Sequence, residues 1–455
     1  MLIAPANDAK QAESSDGLPT PRRYWAVSAI VLAVIMAMLD STILNVALPA
    51  IAQTLEIRPT AAVWVINTYL LTVTVLLLPL ASLSEIVGYR RVYLWGVLLF
   101  VVASVACANA DSLEALLASR ILQGIGAAGI MCVNLALIRF IYPRNALGKG
   151  IGLLAVVVAA STALGPTAAG VILAFWSWPW LFIVNVPIGC VALLIAIRAL
   201  PHIPRQSHRF DVVSAMLNVL TFGFLIIAVS SIGHSGRTDV SLLAMLMAVL
   251  FGYVLVRRQL PRAAPLFPVD LLGIPVFASS IATSICAFIA QMLAFVFLPF
   301  YLHELGKGQL ETGLIMTPWP LTVLVTAPLA GRLADRYPVG LLVTFGLLVL
   351  SAGLAGLALL PDAPDNLDIG WRMAACGLGF GLFQAPNNRA IMDVTPRSRS
   401  GSASGAISTA RLLGQALGTA LVVVSFGQNA QLGGLSILFL AAGFSMLGLL
   451  ISYLR

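Results

Sequence analysis

Apolar residues along this chain occur in long runs that are hydrophobic on every face of a helix, without the alternation typical of a half-buried strand. A helix needs roughly 20 apolar residues to cross a hydrocarbon core of about 30 Å, and the runs are long enough. Short polar segments separate one run from the next. The pattern predicts an all-α integral membrane protein with fourteen membrane-spanning helices. Their predicted starts lie near Tyr24, Ala61, Val92, Leu113, Leu147, Leu181, Val212, Ser241, Val276, Thr312, Leu341, Arg372, Ser402 and Gly433.

The composition agrees with this interpretation. Of the 455 residues, 60% are hydrophobic and 10% are charged, and the mean hydropathy is +0.98, whereas soluble domains carry about 25% charged residues. Residues 1–22 are polar and contain no apolar segment of their own. We therefore expect an amino-terminal tail rather than a cleaved signal peptide.

The basic residues between the predicted helices fall mainly on one side of the membrane. That side collects Lys10, Arg22, Arg23, Arg90, Arg91, Arg139, Arg144, Lys149, Arg198, Arg205, Arg209, Arg257, Arg258, Arg262, Arg332, Arg336, Arg389, Arg397, Arg399 and Arg455, and the other side holds Arg58, Arg237 and Lys307. Because cytoplasmic loops carry the excess of Lys and Arg, we expect an inner-membrane protein with both termini in the cytoplasm. The net charge of +8 then reflects topology, and no nucleic-acid partner is expected.

The chain also repeats itself. Glu85 is matched by Asp335 at an offset of 250 residues, and Gly165 is matched by Gly418 at an offset of 253. Parallel repeats related by an axis along the membrane normal are a transporter architecture, with the substrate site where the halves face each other. The predicted division is a tail (1–22), a first six-helix bundle (23–200), a linker with two additional helices (201–269) and a second six-helix bundle (270–455).

An aspartate stands inside the first apolar run, in the stretch LDSTILNVALP at 39–49. Asp40 lies 17 residues past Arg23, which is about 25 Å along a helix and therefore deep in the membrane. A carboxylate at that depth costs about 2.5 to 3.5 kcal/mol, and intramembrane acids usually carry protons or ions. The repeat offset places Ala290 at the matching position, so the second bundle lacks this acid. Water favours the charged form and burial the neutral form, so alternating exposure could load and release a proton. An aspartate permanently bonded to neighbouring helices is the alternative.

A loop motif occurs twice in the chain, once in each predicted bundle. ASLSEIVGYRR at 81–91 supplies Glu85, Gly88, Arg90 and Arg91, and GRLADRYPVG at 331–340 supplies Asp335 and Arg336. A third motif, LASRILQGIGAAG at 117–129, places Arg120 about two turns into an apolar helix. The fourth motif places small residues and a proline in the fifth apolar run, at Gly152, Gly165, Pro166 and Gly170.

These motifs resemble those of the major facilitator superfamily and, within it, the fourteen-helix drug:proton antiporters of the DHA2 type. The resemblance covers the chain from about Tyr24 onward. It implies two six-helix bundles plus two central helices, and proton coupling at Asp40 under the influence of Arg120. It further implies that the loop motif locks one conformation, and that the helix around Pro166 is linked to export. Inner positive charge in a short turn is the alternative for the loop motif. The repeat partner of Arg120 is expected at Arg372, for which snorkelling to the outer interface is the alternative.

The substrate site is less clearly marked. Aromatic and amide side chains suit amphipathic, often cationic compounds, although each could equally be a packing residue. The candidates for the cavity are Asn45, Trp64, Asn67, Gln123, Asn134, Gln291, Phe295, Trp319 and Gln384.

The sequence therefore predicts a proton-driven exporter of small amphipathic, cationic compounds, working as a monomer in the lipid bilayer. A dedicated metabolite exporter, an uptake symporter of the same fold and a transporter-like membrane sensor are the alternatives. The five cysteines show no metal-ligand spacing, and no nucleophile–base set or nucleotide loop is present. No metal, no cofactor and no enzymatic activity are expected.

Overall fold

A computed structural model describes residues 17–143, 146–203, 210–231, 238–260, 269–361, 364–396, 400–428 and 433–454. These residues are almost entirely helical, with no strand among them, which confirms the predicted all-α class. The long helices are α1 (Thr20–Thr54), α2 (Pro59–Val87), α3 (Tyr89–Ala108), α4 (Leu113–Ile141), α5 (Leu147–Phe175), α6 (Trp180–Ala199), α7 (Val212–Ser231), α8 (Thr238–Gln259), α9 (Pro275–Glu304), α10 (Gln309–Leu333), α11 (Val339–Ala358), α12 (Asn366–Asp393), α13 (Ser400–Gln428) and α14 (Gly433–Tyr453). A one-turn helix, Val269–Leu272, precedes α9.

In the described parts of the chain, thirteen of these helices are long and apolar enough to cross a membrane. The remaining one, α12, carries charges near both ends, and these charges are paired. Arg372 contacts Asp368 at 2.9 Å, and Arg389 contacts Asp393 at 3.5 Å. Pairing lowers the cost of placing these charges at the membrane boundary, so α12 is also compatible with a membrane span.

The predicted start of α12 is wrong. The helix begins at Asn366 rather than near Arg372, because the Asp365 side chain accepts a hydrogen bond from the Asn366 N–H at 2.8 Å and caps the helix. Its first turn is polar, so the apolar run alone places the start too late. The other helix starts lie close to their predicted positions.

The internal repeat is visible in the packing. Helices α2 and α10 begin at Pro59 and Gln309, an offset of 250 residues, and α4 and α12 begin at Leu113 and Asn366, an offset of 253. In the first set of six helices, α1 packs on α5 and α6, and α2 packs on α4. In the last six, α9 packs on α13 and α14, and α10 packs on α12. We call α1–α6 the first bundle and α9–α14 the second bundle.

The most extensive contacts between the two bundles are made by three helix pairs. Helix α2 contacts α13, and helix α5 contacts α10; the internal repeat relates these two pairs to each other. Helix α1 contacts α9 between the two pairs. Helix α7 packs against α2 and α13, where Asn218 donates a hydrogen bond to the Val75 carbonyl at 2.9 Å, and α8 packs on α7.

Basic residues concentrate at one end of the bundles. We call this the arginine-rich end, and it includes Arg90, Arg91 and Arg389, whereas the arginine-poor end includes Arg58 and Lys307. Some of the cations used to predict the orientation lie outside the described residues, namely Lys10, Arg144, Arg205, Arg209, Arg237, Arg262, Arg397, Arg399 and Arg455.

The bundles touch closely at the arginine-poor end. The Gln53 and His303 side chains, from α1 and α9, are hydrogen-bonded at 2.6 Å. Thr167 and Thr317, from α5 and α10, are hydrogen-bonded at 2.5 Å. These contacts connect the two bundles directly, so this conformation is closed at the arginine-poor end.

Candidate functional site

Asp40 lies at the centre of a buried polar cluster in the first bundle. Its side chain is 1% exposed. One carboxylate oxygen accepts a hydrogen bond from Arg120 Nη1 at 2.6 Å, and the other accepts from Gln123 Nε2 at 2.9 Å and Asn185 Nδ2 at 3.0 Å. These three donors replace the water that an exposed carboxylate would bind, which lets the charged form exist in the interior of the protein.

Arg120 is held as firmly as the carboxylate. Its Nε donates to the Val65 carbonyl of α2 at 3.1 Å, and its Nη1 also donates to Gln123 Oε1 at 2.6 Å. The guanidinium carbon lies 4.2 Å from the centre of the Tyr69 ring, within reach of a cation–π contact. Arg120 is therefore buried against Asp40, not extended toward a membrane surface.

The cluster joins five helices of the first bundle. Asp40 comes from α1, Arg120 and Gln123 from α4, and Asn185 from α6. Gln123 also donates to Ser104 of α3 at 2.9 Å, and the Val65 carbonyl belongs to α2. Arg120 and Gln123 are three residues apart, so one helix face presents both side chains. The carboxylate is thus hydrogen-bonded directly to α4 and α6, and through Gln123 and Arg120 it is connected to α3 and α2.

Protonating Asp40 in this conformation would leave Arg120 as a buried cation without its counter-charge. Removing one partner of a buried ion pair typically costs about 3 to 5 kcal/mol. An uncharged Asp40 is therefore incompatible with this arrangement of the cluster.

Helix α5 connects α1 to the second bundle. A Cβ atom at Gly165 would overlap the hydroxyl of Thr42, which lies two residues from Asp40. A Cβ atom at Gly170 would lie 3.0 Å from the Gln309 carbonyl oxygen of α10. The small residues of this helix allow it to touch both α1 and α10, which is consistent with their predicted role in close packing. Gly152, of the same motif, has open space around it.

A narrow cavity lies between the bundles, next to the Asp40 cluster. Its volume is about 30 Å³, far below the roughly 300 to 1,000 Å³ of sites that hold organic ligands. The bundles must separate before such a molecule can bind. Its walls are Ser41, Thr42, Asn45, Leu70, Thr162, Gln291, Met292, Phe295 and Gln415.

The candidate cavity residues separate into three sets. Asn45, Gln291 and Phe295 line the cavity, and the buried Trp319 packs edge-on against Phe295 at 5.1 Å between ring centres. Gln123 belongs to the Asp40 cluster instead. The remaining candidates lie elsewhere: Trp64 and Gln384 are half-buried, and Asn67 and Asn134 are buried.

The loop-motif residues make contacts within their own bundles. Gly88 has a φ of +107°, a value that favours glycine, and ends α2 with a hydrogen bond from its N–H to the Ser84 carbonyl at 2.9 Å. Arg90 donates to the Ile197 carbonyl at 2.5 Å and contacts His202. In the second copy, Asp335 pairs with Arg389 of α12. Arg91 and Arg336 are exposed, and Glu85 is half-buried with a partner of its own.

Two residues of these sites are missing from the candidates. Asn185 is an amide residue within the apolar run WLFIVNVPIG. An amide residue within an apolar run is also the reason that Asn67 is a candidate. Gln415 lines the cavity from α13. Arg372 donates to the Gly356 carbonyl and to Asp368 of its own helix, whereas Arg120 donates to Asp40 of a different helix.

The chain matches known transporters over most of its length. The family model described as Major Facilitator Superfamily matches residues 30–419. The chain is 48% identical over 446 residues, 97% of each protein, to the Escherichia coli K12 protein named uncharacterized transporter YebQ. It is 31% identical to the riboflavin transporter RibZ of Clostridioides difficile, over 90% of this chain and 89% of that protein. It is 30% identical to the multidrug efflux pump LfrA of Mycolicibacterium smegmatis, over 90% and 82% of the two proteins.

A solved structure shares the fold. The bacterial homolog of the lysosomal transporter Spinster, in an inward-facing and unoccupied conformation, superposes with a TM-score of 0.70 at 15% identity. The match covers 96% of this chain and 97% of that one.

Proposed function

Because the chain belongs to the Major Facilitator Superfamily and is a membrane transporter, we propose that it exports small amphipathic compounds in exchange for protons. The exchange works by alternating access, with the arginine-rich end in the cytoplasm. The observation that carries this proposal is the buried ion pair between Asp40 and Arg120, which is 2.6 Å long and has side chains that are 1% and 0% exposed.

The proton site is Asp40. In the conformation described, its charge is matched by Arg120. When the cluster opens to water on the side of higher proton concentration, the carboxylate takes a proton and releases Arg120. The neutral carboxyl group then no longer holds α1, α4 and α6 together through charge, which shifts the balance between the two conformations.

The inter-bundle contacts carry this change to the substrate. Ser41 and Asn45 of α1 line the cavity on either side of Thr42, which packs against Gly165 of α5. Movement of α1 after protonation therefore reshapes the cavity and shifts α5 against α10. Substrate release and proton loading are thus linked through two helices.

The available energy is sufficient. One inward proton supplies about 2.3 kcal/mol per 100 mV of membrane potential and about 1.4 kcal/mol per pH unit. A tenfold substrate gradient costs about 1.4 kcal/mol. A single proton per substrate therefore supports export against a gradient.

A dedicated carrier of one aromatic metabolite is the second candidate. It is favoured by the 31% identity to a protein named as a riboflavin transporter. Export of several unrelated compounds is favoured by the 30% identity to a protein named as a multidrug efflux pump.

Transport into liposomes with an imposed pH gradient tests the proposal. The protein is reconstituted with the membrane potential clamped by potassium and valinomycin, and supplied with permanently charged dyes and with riboflavin. A proton antiporter accumulates its substrate when the lumen is acidic, whereas a symporter does so when the lumen is alkaline. Accumulation in acidic vesicles that is lost with a protonophore supports the proposal. Accumulation in alkaline vesicles, or transport at a rate that does not depend on the pH gradient, contradicts the proposal.

A further inference from the structure

Arg411 lies deep within α13 and has no role in the proton site. It is the twelfth residue of this helix, which begins at Ser400, so it lies about 16 Å along the helix axis. A permanent cation at that depth is costly and usually faces a bundle interior or a water-filled cavity. Its charge therefore needs a compensating interaction.

Among the residues that the structure describes, no carboxylate or hydrogen-bond acceptor contacts Arg411. Tyr69 of α2, in the opposite bundle, is close enough to interact electrostatically with Arg411. Two other arginines inside the bundles are matched by acids: Arg120 pairs with Asp40, and Arg372 pairs with Asp368. The Arg411 residue is half-buried.

The side chain lies on the face of α13 that points to the first bundle. Gln415, one turn further along the same face, lines the central cavity. Gly414, three residues along, packs on α9, where a Cβ atom would lie 2.7 Å from the Ile285 carbonyl oxygen, so Arg411 is between α9 and the cavity. Tyr69 is adjacent in sequence to Leu70, another residue of the cavity wall. Arg411 is therefore next to the cavity, across from Tyr69.

The surroundings of the cavity carry a net positive charge. Its walls hold neutral polar groups such as Ser41, Asn45 and Gln291. The nearby Asp40 is already paired with Arg120. Among the described residues, this leaves Arg411 as the unmatched charge beside the cavity, and it repels a cationic ligand while attracting an anionic one.

We propose that Arg411 binds an anionic group of the transported molecule, such as a carboxylate or a sulfonate. The inference rests on the proposed function, since it takes the central cavity as the transport site. A planar guanidinium group binds such oxyanions through two parallel hydrogen bonds. Phe295, with Trp319 behind it, and Met292 provide an apolar wall for the rest of the molecule. The substrate is then an amphipathic organic anion, in contrast to the cation predicted from sequence.

Tyr69 links this anion site to the proton site. Its ring covers Arg120 on one side, and its electrostatic interaction with Arg411 reaches the other bundle. Its hydroxyl has no hydrogen-bond partner among the described residues. An anion bound at Arg411 would therefore be separated from the Asp40–Arg120 pair by one side chain, that of Tyr69.

Two fluorescent probes with the same ring system isolate the charge. 8-Anilinonaphthalene-1-sulfonate carries a sulfonate, and N-phenyl-1-naphthylamine has the same rings without it. Binding is measured at equilibrium, without a pH gradient, to the full-length protein in lipid nanodiscs, and the signal of empty nanodiscs is subtracted. The comparison uses the native protein, Arg411→Gln and Arg411→Lys.

We expect the native protein to bind the sulfonate at least ten times more tightly than the neutral probe. Arg411→Gln should lose this preference without weakening the neutral probe, and Arg411→Lys should keep most of it. Equal weakening of both probes in a folded Arg411→Gln protein would indicate a packing role and overturn the proposal. A native protein without preference for the sulfonate overturns it too, even if Arg411→Gln does not fold.

The measurement is independent of proton coupling. Loss of the sulfonate preference in Arg411→Gln supports the anion site even if transport proves insensitive to the pH gradient. Conversely, proton-driven transport with no role for Arg411 rejects the anion site and leaves the proposed function standing.

Discussion

Gln53 and His303 are hydrogen-bonded at 2.6 Å and lie 250 residues apart, which is the offset that relates the first parts of the two bundles. Equivalent positions of α1 and α9 therefore meet at the arginine-poor end. Such a contact forms only where the symmetry axis between the bundles passes. It marks the point at which the bundles must separate for this end to open.

Linking these two positions should stop transport. Gln53→Cys and His303→Cys are combined in a background in which the native cysteines are replaced, and are joined by a short bis-methanethiosulfonate reagent. Because α1 and α9 then cannot part, we expect dye transport to fall to the level of empty liposomes and to return on reduction. Each single-cysteine variant, treated in the same way, is the control. Full transport by the cross-linked protein would show that this end does not open.

The contact between α5 and α10 leaves no room for a side chain at Gly313. A Cβ atom there would overlap the Pro166 carbonyl oxygen, whereas a Cβ atom at Gly331 on the same helix meets nothing within 4 Å. We expect Gly313→Ala to destabilise the described conformation by about 1 to 3 kcal/mol, as overpacking typically does. Gly331→Ala should be neutral. Thermal melting of the purified variants, together with thiol labelling at the arginine-poor end, compares them, and equal behaviour would contradict the close packing.

Adding a side chain at Gly165 should also be destabilising because of close packing, in this case against α1. A methyl group there would overlap Thr42, and Gly152 of the same helix again provides a control with open space. We expect Gly165→Ala to lower the melting temperature and the transport rate, and Gly152→Ala to change neither. Adding Thr42→Gly to Gly165→Ala should recover part of the loss. Additive effects of the two substitutions would mean that the residues do not interact.

The ion pair between Asp40 and Arg120 predicts that removing one charge destabilises the protein more than removing both. Arg120→Gln leaves Asp40 buried without its counter-charge, which should destabilise the protein by about 3 to 5 kcal/mol. Combining Arg120→Gln with Asp40→Asn removes both charges and should restore part of the melting temperature. If the double variant is less stable than Arg120→Gln, the two side chains do not form the pair described.

Much of the fold follows from the sequence. Long apolar runs define helices in a membrane, because every backbone group there must be hydrogen-bonded within its own segment. The offsets of 250 and 253 reappear in the helix starts. The start of α12 at Asn366 is missed because Asp365 caps a polar first turn, and a cap is a local hydrogen bond that hydropathy does not report.

The site is only partly predictable. Asp40 is conspicuous because one acid in a long apolar run is costly, but its partners come from helices that are distant in sequence. Arg120 is 80 residues away and Asn185 is 145 residues away. Gln123 is assigned to the cavity from its residue type, although its spacing from Arg120 already places both on one helix face. Which side of a helix faces the cavity depends on tertiary packing, and the sequence alone does not contain that information in readable form.

Transport by Asp40→Asn is the most direct test of the central claim that this carboxylate couples protons to substrate movement. The variant is reconstituted beside the native protein and assayed for both exchange at equal concentrations and accumulation driven by an acidic lumen. We predict that Asp40→Asn still exchanges substrate across the membrane, at a rate independent of pH, but accumulates none against a gradient. Accumulation at the native level by a folded Asp40→Asn protein would contradict the account.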